Sequence, residues 1–293
     1  MTSATVVIPV LNGAETIGDT LRALLSQAGA PADLEIIVVD NGSTDGTPEL
    51  VGEFPVTLLR CATPGASAAR NVGLNVARGE LFVCLDADTL PTRTWLRELL
   101  RPFADPKVML VGGRILSFRP ETGSERYIEQ SGLFRPENHV HNPDFPFVVT
   151  CNLAVRREAA LAIDGWDQAL LRAEDIDFST RLLARFPQPL HYAPQALLFH
   201  RNRRSDDALV AQARGYGYGL ALIYRRYPDR VRWGLQVQML ILGRLIRCAI
   251  QPELLRVGHR LGRVSAEELE FARYQRLWTR AFWGGFFATW YEA

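Results

Sequence analysis

Between residues 4 and 90 the chain switches repeatedly between short β-rich apolar runs and stretches with helical spacing. Thr5–Val10 (TVVIPV) reads as a buried strand. Ala14–Gln27 reads as a helix with Ile17, Leu21, Leu24 and Leu25 on one face, and Leu34–Asp40 (LEIIVVD) as the next strand. An unbroken apolar run of this kind marks a strand covered on both faces. Asp45–Glu53 predicts a short helix, Val56–Arg60 a third strand, Ser67–Ala77 a helix closed by Gly79, and Leu81–Asp86 a fourth strand. Strand–helix–strand repetition at this rhythm restricts the fold to an α/β class, a parallel sheet with right-handed crossovers.

Beyond Leu90 the pattern loosens. Trp95–Phe103 is helical by spacing, Val108–Phe118 extended, and residues 119–147, rich in Pro, Gly, Asn and His, read as a partly ordered loop. Phe147–Val155 and Leu190–His200 read as strands, with Glu174–Phe186 a helix between them. From Asp206 onward the chain reads as helical, with breaks near Pro228 and Gly262.

The 293 residues are 47% hydrophobic and 22% charged with a net charge of +1, which excludes a disordered chain and argues against a general nucleic-acid binder. The charge is divided unevenly. Residues 1–200 carry 17 basic and 24 acidic side chains, whereas residues 201–280 carry 16 Arg and 7 acids. An acidic body suggests a metal or base site, and a basic tail either a partner of negative charge or a solvated helical surface. Cys61, Cys84, Cys151 and Cys248 are widely spaced with no CxxC pair, which argues against zinc and disulfides and fits a reducing, cytoplasmic compartment. MTSATVVIPV lacks a basic n-region and reads as a first strand, not a signal peptide. No run of 18 apolar residues occurs; the nearest, Gly234–Ile250, is interrupted by Arg244 and Arg247.

Three acids fall at or just after strand ends, where open α/β sheets bind ligands: Asp40, then Asp86 and Asp88. Two carboxylates one residue apart can share a divalent cation with phosphate oxygens, and an Asp there can equally cap a helix. Glu174, Asp175 and Asp177 open a helix, where the dipole favours acids and where a carboxylate can also serve as a general base. Pro64–Asn71 is a small-residue run leading into a helix. It suits either close ligand approach, with Arg70 meeting a phosphate, or tight helix–sheet packing.

The segments VVIPVLNGAETI (Val6–Ile17), VVDNGSTDGT (Val38–Thr47), GASAARNVGLNVARGELFVCLDAD (Gly65–Asp88), CNLAVRR (Cys151–Arg157), GWD (Gly165–Asp167) and EDIDF (Glu174–Phe178) occur in that order. Together they resemble a family 2 inverting glycosyltransferase of GT-A fold, over roughly residues 4–200. The resemblance implies a Rossmann-like, mostly parallel central sheet flanked by helices, with residues 1–205 as the catalytic domain and 206–293 as a helical C-terminal extension. It implies a nucleotide-sugar pocket at Pro9, Val10, Asn12, Glu15, Asp40, Gly65 and Arg70. Asp86 and Ala87 of the DxD motif extend that pocket, Asp86 near the ribose. Asp88 and His200 are the implied ligands of Mn²⁺ or Mg²⁺. Glu174 and Asp175 are the implied catalytic pair, with Asp175 as the base, and Cys151, Asn152, Trp166 and Asp167 the implied acceptor side.

The implied reaction is a single displacement from a nucleotide-diphosphate sugar, UDP-linked by preference, onto an acceptor hydroxyl. The acceptor stays open among saccharides, lipids, peptides and small molecules, and no nucleic-acid partner is expected. Gln212-Ala213-Arg214 lacks the Trp of the processive members' motif, which points to single additions, an acceptor that is already polymeric staying open. Two other readings stand beside this one. An inactive, glycosyltransferase-like binding protein is opposed by the retained acids, and a nucleotidyltransferase by the absence of Arg or Lys in Asn12–Thr16. Gly215–Gly219 (GYGYG) reads as a hinge or a close-packing surface. Trp233–Arg247 suits intramolecular packing, homodimerisation or an anionic membrane surface, and the aromatic end Phe282–Tyr291 an acceptor platform or a buried contact.

Overall fold

The computed structural model describes residues 3–188, 190–231 and 233–292. It forms two compact units. One comprises the chain up to Phe118 together with Phe134–Arg201; the other comprises Arg119–Leu133 together with Asn202 onward.

The first unit begins with β1 (Ala4–Val10), α1 (Ile17–Leu25), β2 (Leu34–Asp40), α2 (Thr47–Val51), β3 (Thr57–Arg60), α3 (Ala66–Val76) and β4 (Leu81–Leu85), in the expected order. Next come β5 (Thr89–Pro91), α4 (Trp95–Leu100) and β6 (Leu110–Ser117); α5 (Gly123–Ser131) belongs to the second unit. The first unit resumes with α6 (Pro136–Val140), β7 (Asn152–Arg156), α7 (Arg157–Leu161), α8 (Glu174–Arg185) and β8 (His191–His200).

All eight strands join one sheet in the order β3-β2-β1-β4-β7-β6-β8-β5. Strands β1 to β4 pair in parallel, as the crossover rhythm requires. Strand β7 runs antiparallel to both β4 and β6, β6 and β8 are parallel, and β5 is antiparallel to β8. The sheet is therefore mixed beyond β4. Alternation along β1 sends Val6 and Ile8 into a core with Ile17, Leu21 and Trp95, and Val7 into a second core with Ile37, Phe82, Trp166 and Phe178.

The segment expected as a partly ordered loop, 119–147, instead contains α5 and α6. Helix α5 opens with a capping box in which Thr122 and Glu125 each hydrogen-bond the other's backbone N–H. Its loop-like polar residues serve the helix in two ways: Thr122 and Glu125 cap it, and Arg126 and Gln130 bind Glu270 and Glu267. Strand β5, three residues long, had no sequence signal of its own; it is ordered by pairing with β8.

The second unit holds α5 with α9 (Asp206–Arg226), α10 (Leu235–Arg260) and α11 (Ala266–Tyr291), and a short 3₁₀ turn at Pro228–Arg230. The expected breaks at Pro228 and Gly262 are both present. Of the two readings of GYGYG, close packing holds. A Cβ on Gly217 would lie 1.8 Å from the Phe282 carbonyl oxygen, and one on Gly285 2.1 Å from that of Arg214, so α9 and α11 touch backbone to backbone. The aromatic end is interior only in part: Phe286 is fully buried and stacks with the half-buried Trp290 at 5.7 Å, whereas Tyr291 is exposed. Tyr127 of α5 packs on Phe271 and Tyr274 of α11, and the Arg126 guanidinium donates to both oxygens of Glu270.

Candidate active site

The first unit's site residues lie beyond the carboxyl ends of the parallel strands. Val10 and Asp40 end β1 and β2 in register with one another. Asp40 is buried and accepts from the Ser43 backbone N–H at 3.1 Å, which fixes its carboxylate at the start of the following turn. Pro9 is half-buried beside it. Asn12, at φ 52°, uses its side-chain oxygen to hold the Thr44 N–H at 2.8 Å. Gly13 N–H donates to Thr47 Oγ1 and Ala14 N–H to Asp45, so the turn after β1 is tied to the turn after β2. Glu15 is exposed at the rim. Asn41, which the sequence did not single out, organises the third turn. Its amide donates to the Cys61 and Thr63 carbonyls and its oxygen accepts from Gly65 N–H at 2.7 Å. Gly65 sits at φ 115°, a region that disfavours a side chain, directly before α3.

Asp86 and Asp88 follow β4. Their loop is pinned at the backbone: Thr20 Oγ1 donates to the Ala87 and Thr89 carbonyls, and Thr89 Oγ1 to that of Asp86. The β5–β8 pairing sets Thr89 opposite His200 and carries the imidazole to within 3.5 Å of the Asp88 carboxylate. Ligand atoms of Asp86, Asp88 and His200 all lie within 4.8 Å of one another. Atoms around one ion at the ~2.1 Å of Mg²⁺-type oxygen ligation stand about 3–4 Å apart, so small side-chain rotations would let this set converge on a divalent cation. Two carboxylates with one imidazole suit Mn²⁺ as well as Mg²⁺. Phe134 stacks on the His200 ring at 5.2 Å, and Arg201 N–H donates to the Asp88 carbonyl. Neither contact was legible in the sequence.

Arg70 is the hub. It is buried and reaches from α3 to Asp86 with one amino group and to Glu174 with the other, each at 3.1 Å. Burial disfavours its charge, but the Asp86 and Glu174 carboxylates outweigh that cost and hold the guanidinium protonated. Its Nε is buried with no hydrogen-bond partner among the described residues.

Helix α8 begins at Glu174 after Ala173, a non-glycine residue at φ 61°. That left-handed kink turns the acidic first turn toward Arg70, a strained conformation of the sort that clusters at functional sites. Burial and then repulsion from Glu174 push the Asp175 carboxyl up to about 7, against an ordinary 3.8, although it accepts the Ile176 N–H at 2.9 Å. The third acid, Asp177, is fully buried and bound to Arg181, which also donates to the Gly165 carbonyl. Its work is structural.

The remaining four positions are not brought together on one surface. Cys151 is buried and its thiol is held protonated by burial and by Asp86 and Asp88. Asn152 is consumed inside the sheet. Trp95 Nε1 donates to its oxygen, and its amide donates to the Arg114 and Ala196 carbonyls. Gly113 leaves room for it, since a Cβ there would sit 2.5 Å from the amide. Trp166 is buried between Phe82 and Phe178, parallel to the latter at 4.2 Å. Of the four, Asp167 is the partly exposed one.

The family model for glycosyl transferase family 2 matches residues 5–163. The chain is 31% identical over 271 residues to a pre-mycofactocin glycosyltransferase of Mycobacterium tuberculosis, covering 89% of this chain and 54% of that one. It is 31% identical over 184 residues to glycosyltransferase AglE of Haloferax volcanii, covering 60% of each. It thus spans little more than half the length of these curated relatives. Among solved structures it resembles mannosyltransferase PcManGT of Pyrobaculum calidifontis, crystallised with GDP-Man and Mn²⁺, at TM-score 0.63 and 20% identity over 96% of this chain and 87% of that one. It also resembles the glucosyl-3-phosphoglycerate synthase of Mycobacterium tuberculosis, crystallised with Mn²⁺ and UDP, at TM-score 0.56 and 20% identity over 77% and 80%. These likenesses give the fold as GT-A. With the matched family model covering more than half its length, the chain belongs to glycosyl transferase family 2.

Proposed function

We propose that this chain is a metal-assisted, inverting glycosyltransferase that moves a sugar from a nucleoside-diphosphate donor, UDP-linked by preference, to an acceptor hydroxyl. The observation that carries this reading is one chain of contacts: His200 to Asp88, Asp86 to Arg70, Arg70 to Glu174, with Asp175 next in sequence. It links a cation-ready cluster to a carboxyl whose pKa lies near neutrality.

Asp40 and the tied turns around Asn12 and Gly65 would receive the nucleoside. Asp88 and His200, with an Asp86 oxygen in reach, would hold a divalent cation, which would neutralise the diphosphate as its negative charge grows. Asp175 takes the proton of the acceptor hydroxyl as its oxygen bonds to the anomeric carbon. The bond to the diphosphate breaks on the opposite face, the electron pair leaves with the nucleotide, and the configuration inverts. A carboxyl near 7 accepts that proton far more readily than one near 4. Glu174, clamped by Arg70, raises the basicity of Asp175 and fixes its position.

Thermal shift with UDP, GDP, dTDP and CDP, each with Mn²⁺, Mg²⁺ or EDTA, tests the site. A ligand at a hundredfold excess over its Kd stabilises the fold by about 2.7 kcal/mol. The expected result is a shift with one nucleotide that is lost in EDTA and in Asp88→Ala. An EDTA-insensitive shift would sink the metal assignment, and release of pyrophosphate from a triphosphate would favour nucleotidyl transfer.

A further inference from the structure

Helix α10 has two apolar faces. Ile241, Cys248 and Pro252 are buried on the inner one. On the outer one, Met239, Leu242, Ile246, Ile250, Leu254 and Val257 recur every three or four residues, and each is 48–66% exposed. At 1.5 Å per residue that stripe is about 27 Å long. Single exposed apolar residues are ordinary, but a continuous stripe on one helix marks a surface that is covered in use.

The charges beside it indicate by what. At 100° per residue, Arg247 and Arg260 flank the stripe on opposite sides, with Arg244 and Arg256 further round. The sole acid of α10, Glu253, is already paired with Arg256 and with Arg276 of α11. Glu253 falls at the edge of the stripe with its charge offset by Arg256 and Arg276, so the net positive charge beside the apolar face comes from Arg244, Arg247 and Arg260. Packing two copies of α10 together would oppose like charges, whereas an anionic lipid surface complements them. Among the described residues, no helix is long and apolar enough to cross a membrane.

We propose that α10 lies flat on an anionic bilayer, its Met239–Val257 stripe among the acyl chains and its arginines at the headgroups. Arginine stems are long enough to keep their charges at that depth.

Flotation with vesicles of phosphatidylcholine alone, or with 30% phosphatidylglycerol, tests this without any donor or acceptor, so it is independent of the reaction proposed above. The expected result is flotation with the anionic vesicles only, reversed by 0.5 M NaCl. Arg244→Gln/Arg247→Gln should weaken partitioning about 25-fold, roughly fivefold per arginine. Ile246→Gln/Ile250→Gln/Leu254→Gln should abolish it with an unchanged melting temperature, because these side chains are exposed. The salt reversal is read on the unaltered protein, so it stands even if a variant misfolds. Absence of flotation, equal flotation with neutral vesicles, or a solution dimer dissociated by the triple variant in place of lipid binding would overturn the proposal.

Discussion

Asp175→Asn is the perturbation that separates basicity from architecture. In the folded chain burial and Glu174 hold the Asp175 carboxyl at about 7, and its ordinary value is 3.8. Between those two values the folded protein keeps a proton that the unfolded chain has released. Stability therefore falls as pH rises from about 4 to 7, and the full loss is present above 7. Asparagine matches the protonated form in shape and charge, and its oxygen can still accept the Ile176 N–H. The gap corresponds to at most about 4 kcal/mol, at about 1.4 kcal/mol per pH unit. Asp175 as a residue is half-buried, so water and relaxation reduce this to roughly 1–2 kcal/mol. For a chain of this size the variant should melt about 3–6 °C above wild type at pH 8, with a smaller gap at pH 5. Calorimetric melts in EDTA at both pH values check this. A variant that melts below wild type at pH 8, or a gap that does not widen from pH 5 to 8, would refute the assignment of a strained, near-neutral carboxyl. In the same variant, transfer should drop about 10²–10⁴-fold if Asp175 is the base.

In the unaltered protein, kcat/KM should rise with pH through about 7 as Asp175 ionises; a flat profile from pH 5.5 to 8 would remove it from the proton transfer. Arg70→Met strips Asp86 and Glu174 of their shared buried partner and should cost about 3–5 kcal/mol in denaturant unfolding. A loss below 1 kcal/mol would mean that the bridge is not formed in solution. His200→Ala should narrow any preference for Mn²⁺ over Mg²⁺ in nucleotide binding by calorimetry, since it leaves oxygen ligands alone. Gly217→Ala drives a Cβ into the Phe282 carbonyl and should lower the melting temperature by several degrees, at about 1–3 kcal/mol for overpacking. An unchanged melt would show that α9 and α11 can separate there freely.

The sequence by itself determined the first four strands and their crossovers, because each is a local pattern: a continuous apolar run, a helical period and a turn. It also determined which acids stand at strand ends, since strand ends are local too, and it marked the two helix breaks at Pro228 and Gly262. The family resemblance identified in the sequence rested on those same local motifs, and the matched family model bears it out. The tertiary structure alone decided how distant segments meet. Strand β5 exists because β8 pairs with it, and that pairing delivers His200 to Asp88 across 112 residues of chain. Arg70 reads in sequence as a residue beside a ligand; only in three dimensions does it clamp Asp86 to Glu174. Asn152 and Trp166 carry the opposite lesson. Polar and aromatic residues in a motif resemble a binding surface until their hydrogen bonds and stacking partners are seen to lie inside the sheet and core. Segment 119–133 likewise leaves the sheet unit to pack with the C-terminal helices, through ring contacts and an ion pair to residues more than 130 positions away. Propensity and periodicity act over a few residues, whereas burial and pairing are properties of the whole fold, and no local pattern encodes which distant partner a side chain will find.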